Sequence, residues 1–290
     1  MRSIVIFTHS EISISVAQII SDLGRGSIYI SSIFLILITG VISTNLISRS
    51  VRVTSHTDHL SNHLESTTNS LKPYLHLCWS LWTFWVFGAM INQALKHAFS
   101  APRPWWIDSS LSPLAKVPAS GYGMPSGHAQ SAVGVLLILS YVYAQRPQDI
   151  HKWFRAIRVP FCVFLLIWPL AISWSRVHLN EHSLSQVLLG LGVGSLWMYI
   201  VSRISFRSFD ESPTDNKGLM SDVLFLIVIE LICFVFLVIH LTSDIPTSSY
   251  PDHQPALTLS KLIGLTLGAS TAPLFLVVWL INWKNIRTHI

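Results

Sequence analysis

The chain has 290 residues, of which 51% are hydrophobic and only 11% are charged. Soluble domains carry about 25% charged residues, so this composition excludes an ordinary soluble protein and predicts an integral membrane protein. The net charge of +5 would suit nucleic-acid binding, but the basic residues form no long cluster and no nucleic-acid-binding motif is present. Nucleic acid is therefore not an expected partner.

The N-terminal segment, residues 3–22, is apolar but interrupted by polar residues, a pattern that predicts an amphipathic helix at a membrane interface. Long apolar segments then predict membrane spans at 28–47, 74–95, 126–145, 159–175, 184–201, 222–241 and 260–282. Each is long enough, or nearly so, to cross a hydrocarbon core of about 30 Å. The expected fold is all-α: a polytopic membrane helix bundle of about seven transmembrane helices plus the N-terminal amphipathic helix.

Polar stretches separate several of these spans. Residues 48–73 are rich in Ser, Thr, His and Asn and are predicted to form a solvated loop. Residues 96–125 contain five prolines and are predicted to be irregular. Within the intervening span, tryptophans recur at every third position, a stripe typical of a lipid-facing or interfacial belt; they are Trp79, Trp82 and Trp85.

The main break in composition is the charged segment at 202–221. We interpret it as a cytoplasmic connector between two parts of the chain. Residues 1–201 would form the core that carries the motifs described below, and residues 222–290 would add two further transmembrane helices.

Seven spans would place successive loops on alternate sides of the membrane. The side opposite the N-terminus would hold twelve of the 19 basic residues, namely Arg49, Arg52, Lys72, Arg146, Lys152, Arg155, Arg158, Arg203, Arg207, Lys217, Lys284 and Arg287. Since positive charge is enriched in cytoplasmic loops, we assign that side to the cytoplasm. Segment 96–125, His128 and the start of the 184–201 span then face the non-cytoplasmic side together.

Residues 121–131, Gly-Tyr-Gly-Met-Pro-Ser-Gly-His-Ala-Gln-Ser, carry a loop directly into an apolar segment. Pro125 favours a helix start near Ser126, and the first backbone N–H groups of a helix have no intrahelical partner. Gly127 would let an anion approach them, and His128 could transfer a proton near neutral pH. The first hypothesis is a phosphate site with its own acid or base; the alternative is an ordinary capped helix.

Two further clusters lie on the same predicted side. Lys96 is followed after six residues by Arg103-Pro104, and Ser175-Arg176 is followed after five residues by His182. Taken singly, the two cations of the first cluster could be interfacial anchors. A lone histidine such as His182 is more often a hydrogen-bonded structural residue than a catalyst.

The order and internal spacing of the three clusters resemble the tripartite signature of the type 2 phosphatidic acid phosphatase (PAP2) superfamily. That superfamily includes lipid phosphate phosphatases, polyprenyl diphosphate phosphatases, glucose-6-phosphatase and the vanadium haloperoxidases. The resemblance covers residues 96–190, about a third of the chain, and three ordered motifs are far more specific than any one of them.

The resemblance implies a metal-independent phosphatase without a cofactor. His182 would attack phosphorus and form a phosphohistidine, and His128 would protonate the leaving oxygen. Pro125 and Gln186 would support the site. The phosphate oxygens would be bound by Lys96, Arg103, Ser126, Gly127 and Arg176.

One position departs from the family pattern. Gln186 stands where an acid usually follows the nucleophilic histidine by four residues, and its carbonyl can fix the histidine tautomer but brings no charge. Glu181, if helical, would point about 100° away from His182 and could not substitute. Dolichyl diphosphate phosphatases and glucose-6-phosphatases resemble this chain in having glutamine there. Gly-Tyr-Gly-Met-Pro-Ser resembles the former, and Arg103-Pro-Trp-Trp the latter.

The expected function is hydrolysis of a lipid phosphate or diphosphate, such as a polyprenyl diphosphate or phosphatidate, by a multi-pass membrane enzyme. The active site would face away from the cytoplasm, in a bacterial inner membrane or the endoplasmic reticulum. Two alternatives stay open: a phosphatase for soluble sugar phosphates, and an inactive membrane scaffold or transporter. The sequence does not define the substrate or the oligomeric state.

Overall fold

The computed structural model describes residues 10–24, 60–116, 121–144, 152–210, 216–242 and 262–271. Within these ranges every regular element is an α-helix and no strand occurs, so the expected all-α class is confirmed there. The helices are α1 (Glu11–Leu23), α2 (Leu60–Phe99), α3 (Pro104–Ile107), α4 (Gly127–Ala132), α5 (Val135–Ala144), α6 (Lys152–His178), α7 (Leu184–Asp210), α8 (Asn216–Thr242) and α9 (Leu262–Thr271).

Three helices contain segments long and apolar enough to cross a membrane: Ile157–His178, Leu184–Ile204 and Ser221–Thr242. They support the expectation of a membrane protein. The full set of seven spans stays a prediction, because 28–47 lies outside the described residues and α9 covers only part of 260–282.

Two predicted boundaries were wrong. Helix α2 begins at Leu60, so the polar residues from there to 73 are helical rather than a loop. The single helix expected at 126–145 is two helices, α4 and α5. A tighter turn joins them, in which the Gly134 N–H donates to the Ser131 carbonyl at 3.1 Å. A Cβ at Gly134 would lie 2.7 Å from the ring of Phe84, so α2 packs directly against this turn.

The segment at 202–221 is largely helical at its two ends. Helix α7 continues to Asp210 and α8 begins at Asn216. The division of the chain into a core and two added helices stays a prediction.

The tryptophan stripe of α2 points into the protein. Trp79 and Trp85 are 2% and 6% exposed, so the lipid-facing assignment was wrong for both. Trp85 Nε1 donates to the carbonyl of Ser131 at 3.0 Å. A second tryptophan from α7, Trp197, donates to the carbonyl of Phe84 at 3.1 Å. Because an indole N–H needs a partner when buried, these bonds hold α2 against the α4–α5 turn and α7.

Several helix ends meet at one end of the bundle. The Ser126 N–H, where α4 begins, donates to the carbonyl of Gln186 in the first turn of α7. His97, near the end of α2, lies 5.4 Å ring to ring from His240, near the end of α8. The three sequence clusters lie at these helix ends and in the loops next to them.

Candidate active site

The loop that enters α4 is held by buried amide side chains. Asn92 on α2 donates from Nδ2 to Gln130 Oε1 at 2.7 Å and to the Pro125 carbonyl at 3.4 Å. Gln130 in turn donates to a main-chain carbonyl of α2 at 2.7 Å. Sequence reasoning missed both residues, although two amides within apolar segments were a usable signal, because buried amides need specific partners.

The same loop is packed tightly against α7. A Cβ at Gly190 would lie 2.5 Å from the Ser126 carbonyl oxygen, so only glycine allows this approach. The Ser126 N–H, which was expected to lack a partner within its own helix, donates to the Gln186 carbonyl of α7 at 3.0 Å. It is therefore not free to bind an anion. The Ser126 hydroxyl is buried and has no hydrogen-bond partner within the described ranges.

His182 is a buried imidazole with one defined tautomer. Its Nδ1 lies 2.8 Å from the Gly123 carbonyl and 3.3 Å from Gln186 Oε1. Both partners are carbonyl oxygens, which only accept, so Nδ1 carries the hydrogen. The lone pair is therefore on Nε2, which lies 3.4 Å from Arg103 Nη1.

The surroundings of His182 disfavour its protonated form. Burial lowers the pKa of His182 well below the usual value, and the charges of Arg103, Arg176, Lys96 and His128 lower it further. The imidazole is therefore neutral at neutral pH. The side chains of Lys96 and His128 are themselves partly exposed.

Arg103 is almost completely buried, at 1% exposure. Its Nε donates to the Gly121 carbonyl at 2.7 Å, and its Nη1 donates to the Glu181 carbonyl at 2.8 Å. Burial lowers the pKa of Arg103 to about 10, against the opposing effect of Glu181. The guanidinium is still charged at neutral pH and has a fixed orientation.

Glu181 lies between the two arginines and was missed as a site residue. Its fully buried carboxylate places Oε2 3.2 Å from Arg103 Nη1 and 3.5 Å from Arg176 Nη2. Since α7 begins at Leu184, Glu181 is not helical and the angular argument against it does not apply. The signal in the sequence was an acid directly before His182.

The turn that presents this carboxylate is tied to Arg176. Asn180 has a φ of 58°, the left-handed conformation that asparagine tolerates better than most residues. The main-chain N–H groups of Glu181 and His182 both donate to the Arg176 carbonyl, at 3.1 and 3.2 Å. One tight turn at the end of α6 therefore places an arginine, an acid and a histidine together.

The described part of the chain thus brings the predicted site residues to one end of the bundle. Lys96 and Arg103 come from the α2–α3 region, Ser126, Gly127 and His128 from the start of α4, and Arg176, His182 and Gln186 from the α6–α7 turn. Among the described residues, no three or more His, Cys, Asp or Glu side chains form a group that could hold a metal ion. Metal independence stays a prediction.

The segment that contains this site is similar to a known protein family. Residues 73–210 match the PAP2 superfamily. This segment belongs to that superfamily. This PAP2 segment runs from within α2 to the end of α7, while α1, α8 and α9 lie outside it. No solved structure matches the chain.

Several curated relatives of the PAP2 segment are named as phosphatases. Over 130 residues the chain is 29% identical to dolichyldiphosphatase of Saccharomyces cerevisiae, covering 41% of this chain and 51% of that protein. It is 27% identical over 132 residues to glucose-6-phosphatase catalytic subunit 1 of Haplochromis nubilus, covering 41% and 38%. It is 27% identical over 186 residues to phospholipid phosphatase 2 of Rattus norvegicus, covering 55% and 64%. The chain thus spans about half the length of such relatives.

Proposed function

We propose that this protein is a membrane-embedded phosphatase that hydrolyses a lipid phosphate or diphosphate through a phosphohistidine at His182. The observation that carries the proposal is the state of His182: a buried, neutral imidazole whose Nδ1–H is held by two carbonyl oxygens. Its Nε2 lone pair lies beside an arginine, where an anionic phosphoryl group would bind. A nucleophile needs this unprotonated nitrogen.

The phosphate would be bound by Lys96, Arg103 and Arg176, with the Ser126 hydroxyl and the Gly127 N–H as further donors. These three cations and the Glu181 carboxylate amount to two net positive charges, which suits a phosphate that carries roughly −1.5 to −2 at pH 7. The unpartnered, buried hydroxyl of Ser126 would gain a partner when a phosphate oxygen binds.

The reaction would proceed in two displacements. His182 Nε2 forms a bond to phosphorus while the bond from phosphorus to the leaving oxygen breaks, and His128 gives a proton to that oxygen. The carbonyls of Gly123 and Gln186 continue to accept from Nδ1–H as the ring becomes positively charged. In the second displacement His128 takes a proton from water, which attacks phosphorus, releases phosphate and restores His182.

A lipid substrate is favoured because the site lies at the ends of membrane-crossing helices, where a head group can be reached while its tail stays in the bilayer. Localisation in a bacterial inner membrane or the endoplasmic reticulum, with the site on the non-cytoplasmic face, is part of the proposal. A soluble sugar phosphate is the second candidate, supported by the similarity to a glucose-6-phosphatase. A catalytically inactive scaffold or transporter is the alternative from another class.

The test is phosphate release by the full chain in proteoliposomes from polyprenyl diphosphate, phosphatidate, a sphingoid phosphate and glucose 6-phosphate. We expect release from at least one lipid and its loss in His182→Ala. His240→Ala, which alters a histidine of α8 outside the PAP2 segment, is the control and should retain activity. Release only from glucose 6-phosphate would favour the sugar phosphatase, and no release from any substrate would favour the scaffold. Undiminished turnover in His182→Ala would contradict the mechanism.

The role of His128 has a separate test. General-acid catalysis contributes about 10²–10⁴-fold in rate and matters most for a poor leaving group. We expect His128→Ala to reduce hydrolysis of an alkyl phosphate far more than that of p-nitrophenyl phosphate, whereas His182→Ala should abolish both. Equal losses on the two substrates would contradict the acid role. Activity should persist in excess chelator; its loss there would contradict metal independence.

A further inference from the structure

Helix α1 lies outside the PAP2 segment and has an unusual distribution of side chains. Its outward face carries Ile12, Val16, Ile19 and Leu23, which are 77%, 44%, 61% and 43% exposed. Spacings of four, three and four residues place them on a single stripe of the helix. The opposite face buries the polar residues Gln18 and Ser21, at 7% and 2% exposure. A helix on a water-soluble protein shows the reverse pattern.

The polar face of α1 contacts the candidate active site. The hydroxyl of Ser21 accepts a hydrogen bond from Arg176 Nη1, and this guanidinium also pairs with Glu181. About two turns closer to the N-terminus of α1, Ser13 Oγ lies 3.0 Å from His178 Nε2, near the end of α6. Two serines of α1 thus bond to the end of α6, and one of them bonds directly to an arginine of the site.

The apolar stripe belongs to a helix that packs on α6, which has an exposed apolar surface of its own. The apolar segment of α6, Ile157–His178, exposes Leu166, Ile167 and Leu170 at 55%, 54% and 61%. At the end of α1, a Cβ at Gly24 would lie 2.8 Å from the side chain of Ile172. Helix α1 is therefore packed closely against the apolar segment of α6 that is long enough to cross a membrane.

We propose that α1 lies in the membrane interface, with its apolar stripe against the lipid bilayer, and that Ser21 positions Arg176 from the opposite face. The bilayer is the occupant because aliphatic side chains adjoining a lipid-exposed helix are stably covered by acyl chains. The positioning of Arg176 rests on the proposed function; the placement of α1 does not. Ser21 is a positioning residue, acting on bound phosphate through Arg176.

The placement of α1 is tested without any enzyme assay. Ile19→Cys and Glu11→Cys are introduced singly into the full chain, which is reconstituted in phosphatidylcholine vesicles and treated with a charged, water-soluble maleimide. Both positions are exposed on the protein, but only Ile19 belongs to the stripe. We expect Glu11→Cys to react at least tenfold faster, with the unsubstituted chain giving the background of its three native cysteines. Equal rates would overturn the interfacial placement.

The role of Ser21 is tested by vanadate, a mimic of five-coordinate phosphorus, through its stabilisation of the protein against thermal unfolding. We expect the vanadate concentration for half-maximal stabilisation to rise about fivefold or more in Ser21→Ala. It should be unchanged in Ser15→Ala, an exposed serine of the same helix, and restored in Ser21→Thr. An unchanged concentration in Ser21→Ala would overturn the positioning role. No stabilisation of the unsubstituted chain would overturn the phosphate site as well, while the labelling result would still decide the placement of α1.

In turnover, an arginine that binds phosphate equally in ground and transition states affects mainly KM. Ser21→Ala should therefore raise KM about fivefold with kcat within about twofold. A fall in kcat at constant KM would overturn the assignment of Ser21 to phosphate binding through Arg176.

Discussion

At the residue scale, both the nitrogen and the oxygen of the Gln186 side-chain amide make hydrogen bonds. Its Nε2 donates to the Pro102 carbonyl at 2.7 Å, and its Oε1 accepts from the Ser183 N–H at 3.1 Å. The same oxygen faces His182 Nδ1 at 3.3 Å. A carboxylate could accept from His182 but would place an oxygen against the Pro102 carbonyl, so this position suits an amide. From the sequence alone Gln186 seemed only to lack a charge, because the carbonyl that requires an amide here lies 84 residues away in the chain.

A carboxylate at this position should change the pH dependence. The pKa of His182 lies well below the usual value of about 6.5. The acid limb, which is the fall of kcat/KM at low pH as His182 becomes protonated, should therefore lie below about pH 6.5. In Gln186→Glu the added negative charge favours the imidazolium and raises this pKa, so the acid limb should move to higher pH and activity in mild acid should fall.

The measurement is kcat/KM from about pH 4.5 to 8 on one substrate, whose own ionisation is common to all variants. Gln186→Ala is the matched control, since it removes the amide without adding charge, and its limb should stay near that of the unsubstituted chain. An acid limb that stays in place or moves to lower pH in Gln186→Glu would contradict the assignment of His182 as the neutral nucleophile.

Glu181 is the residue whose role is least visible from the sequence. Its carboxylate lies between Arg103 and Arg176, and removing one member of a buried ion pair costs about 3–5 kcal/mol because a charge is left uncompensated. Glu181→Gln should therefore lower the thermal unfolding temperature. It should also lower kcat/KM roughly tenfold or more, since each ~1.4 kcal/mol of lost transition-state stabilisation is a factor of ten.

The control is Glu230→Gln on α8, which alters an acid that accepts from Ser270 and lies outside the PAP2 segment. It should leave kcat/KM unchanged. Vanadate inhibition should weaken in parallel with kcat/KM in Glu181→Gln, because both depend on the same two guanidinium groups. If Glu181→Gln lost stability but kept its kcat/KM and vanadate inhibition, the carboxylate would stabilise the fold without positioning the arginines.

At the scale of the elements, hydropathy located the helices but not their ends or their neighbours. The apolar runs predicted α6, α7 and α8 because continuous apolar segments of that length are rarely anything else. The start of α2 was missed, since polar residues from Leu60 onwards carry no periodic signal that distinguishes a helix from a loop. The tryptophans of α2 were predicted to face lipid. Their spacing shows that they share one face of the helix, but it does not show whether that face contacts lipid or protein.

Close packing of α7 on α4 depends on glycines of α7. Cβ atoms at Gly190 and Gly194 would lie 2.5 Å and 2.7 Å from the carbonyl oxygens of Ser126 and Gln130, whereas a Cβ at Gly192 would meet nothing within 4 Å. Gly190→Ala should therefore push α7 away from the site loop, with a loss of about 1–3 kcal/mol in stability and a fall in phosphate release.

Gly192→Ala is a control on the same helix, two residues away, with the same change in composition. It should be neutral or stabilise α7 by about 0.5–1 kcal/mol, because alanine has the higher helix propensity. The two variants are compared by thermal unfolding and by kcat/KM in the same detergent. Equal behaviour of the two would contradict a close approach of α7 to Ser126.

At the scale of the whole molecule, the site is assembled from segments spread along the chain between Lys96 and His182, which are 86 positions apart. The alternation of predicted spans was enough to predict that these segments lie at the same end of the molecule. It could not identify the contacts that align them, since Asn92, Glu181 and Ser21 act through partners on other helices. The order and spacing of the motifs were enough to predict the chemistry of the site. The side-chain contacts between helices can be identified only from the folded structure.

The orientation of the whole molecule leads to the last prediction. If the predicted seven spans are correct, the excess of basic residues predicts that Gln148 faces the cytoplasm and that the site, with the exposed Ser109, faces the opposite side. In sealed vesicles with their non-cytoplasmic face outward, Ser109→Cys should react with a membrane-impermeant maleimide, and Gln148→Cys only after detergent is added. The unsubstituted chain gives the background of Cys78, Cys162 and Cys233. The reverse pattern would place the site in the cytoplasm, where a substrate made on the far side of the membrane could not reach it without being moved across.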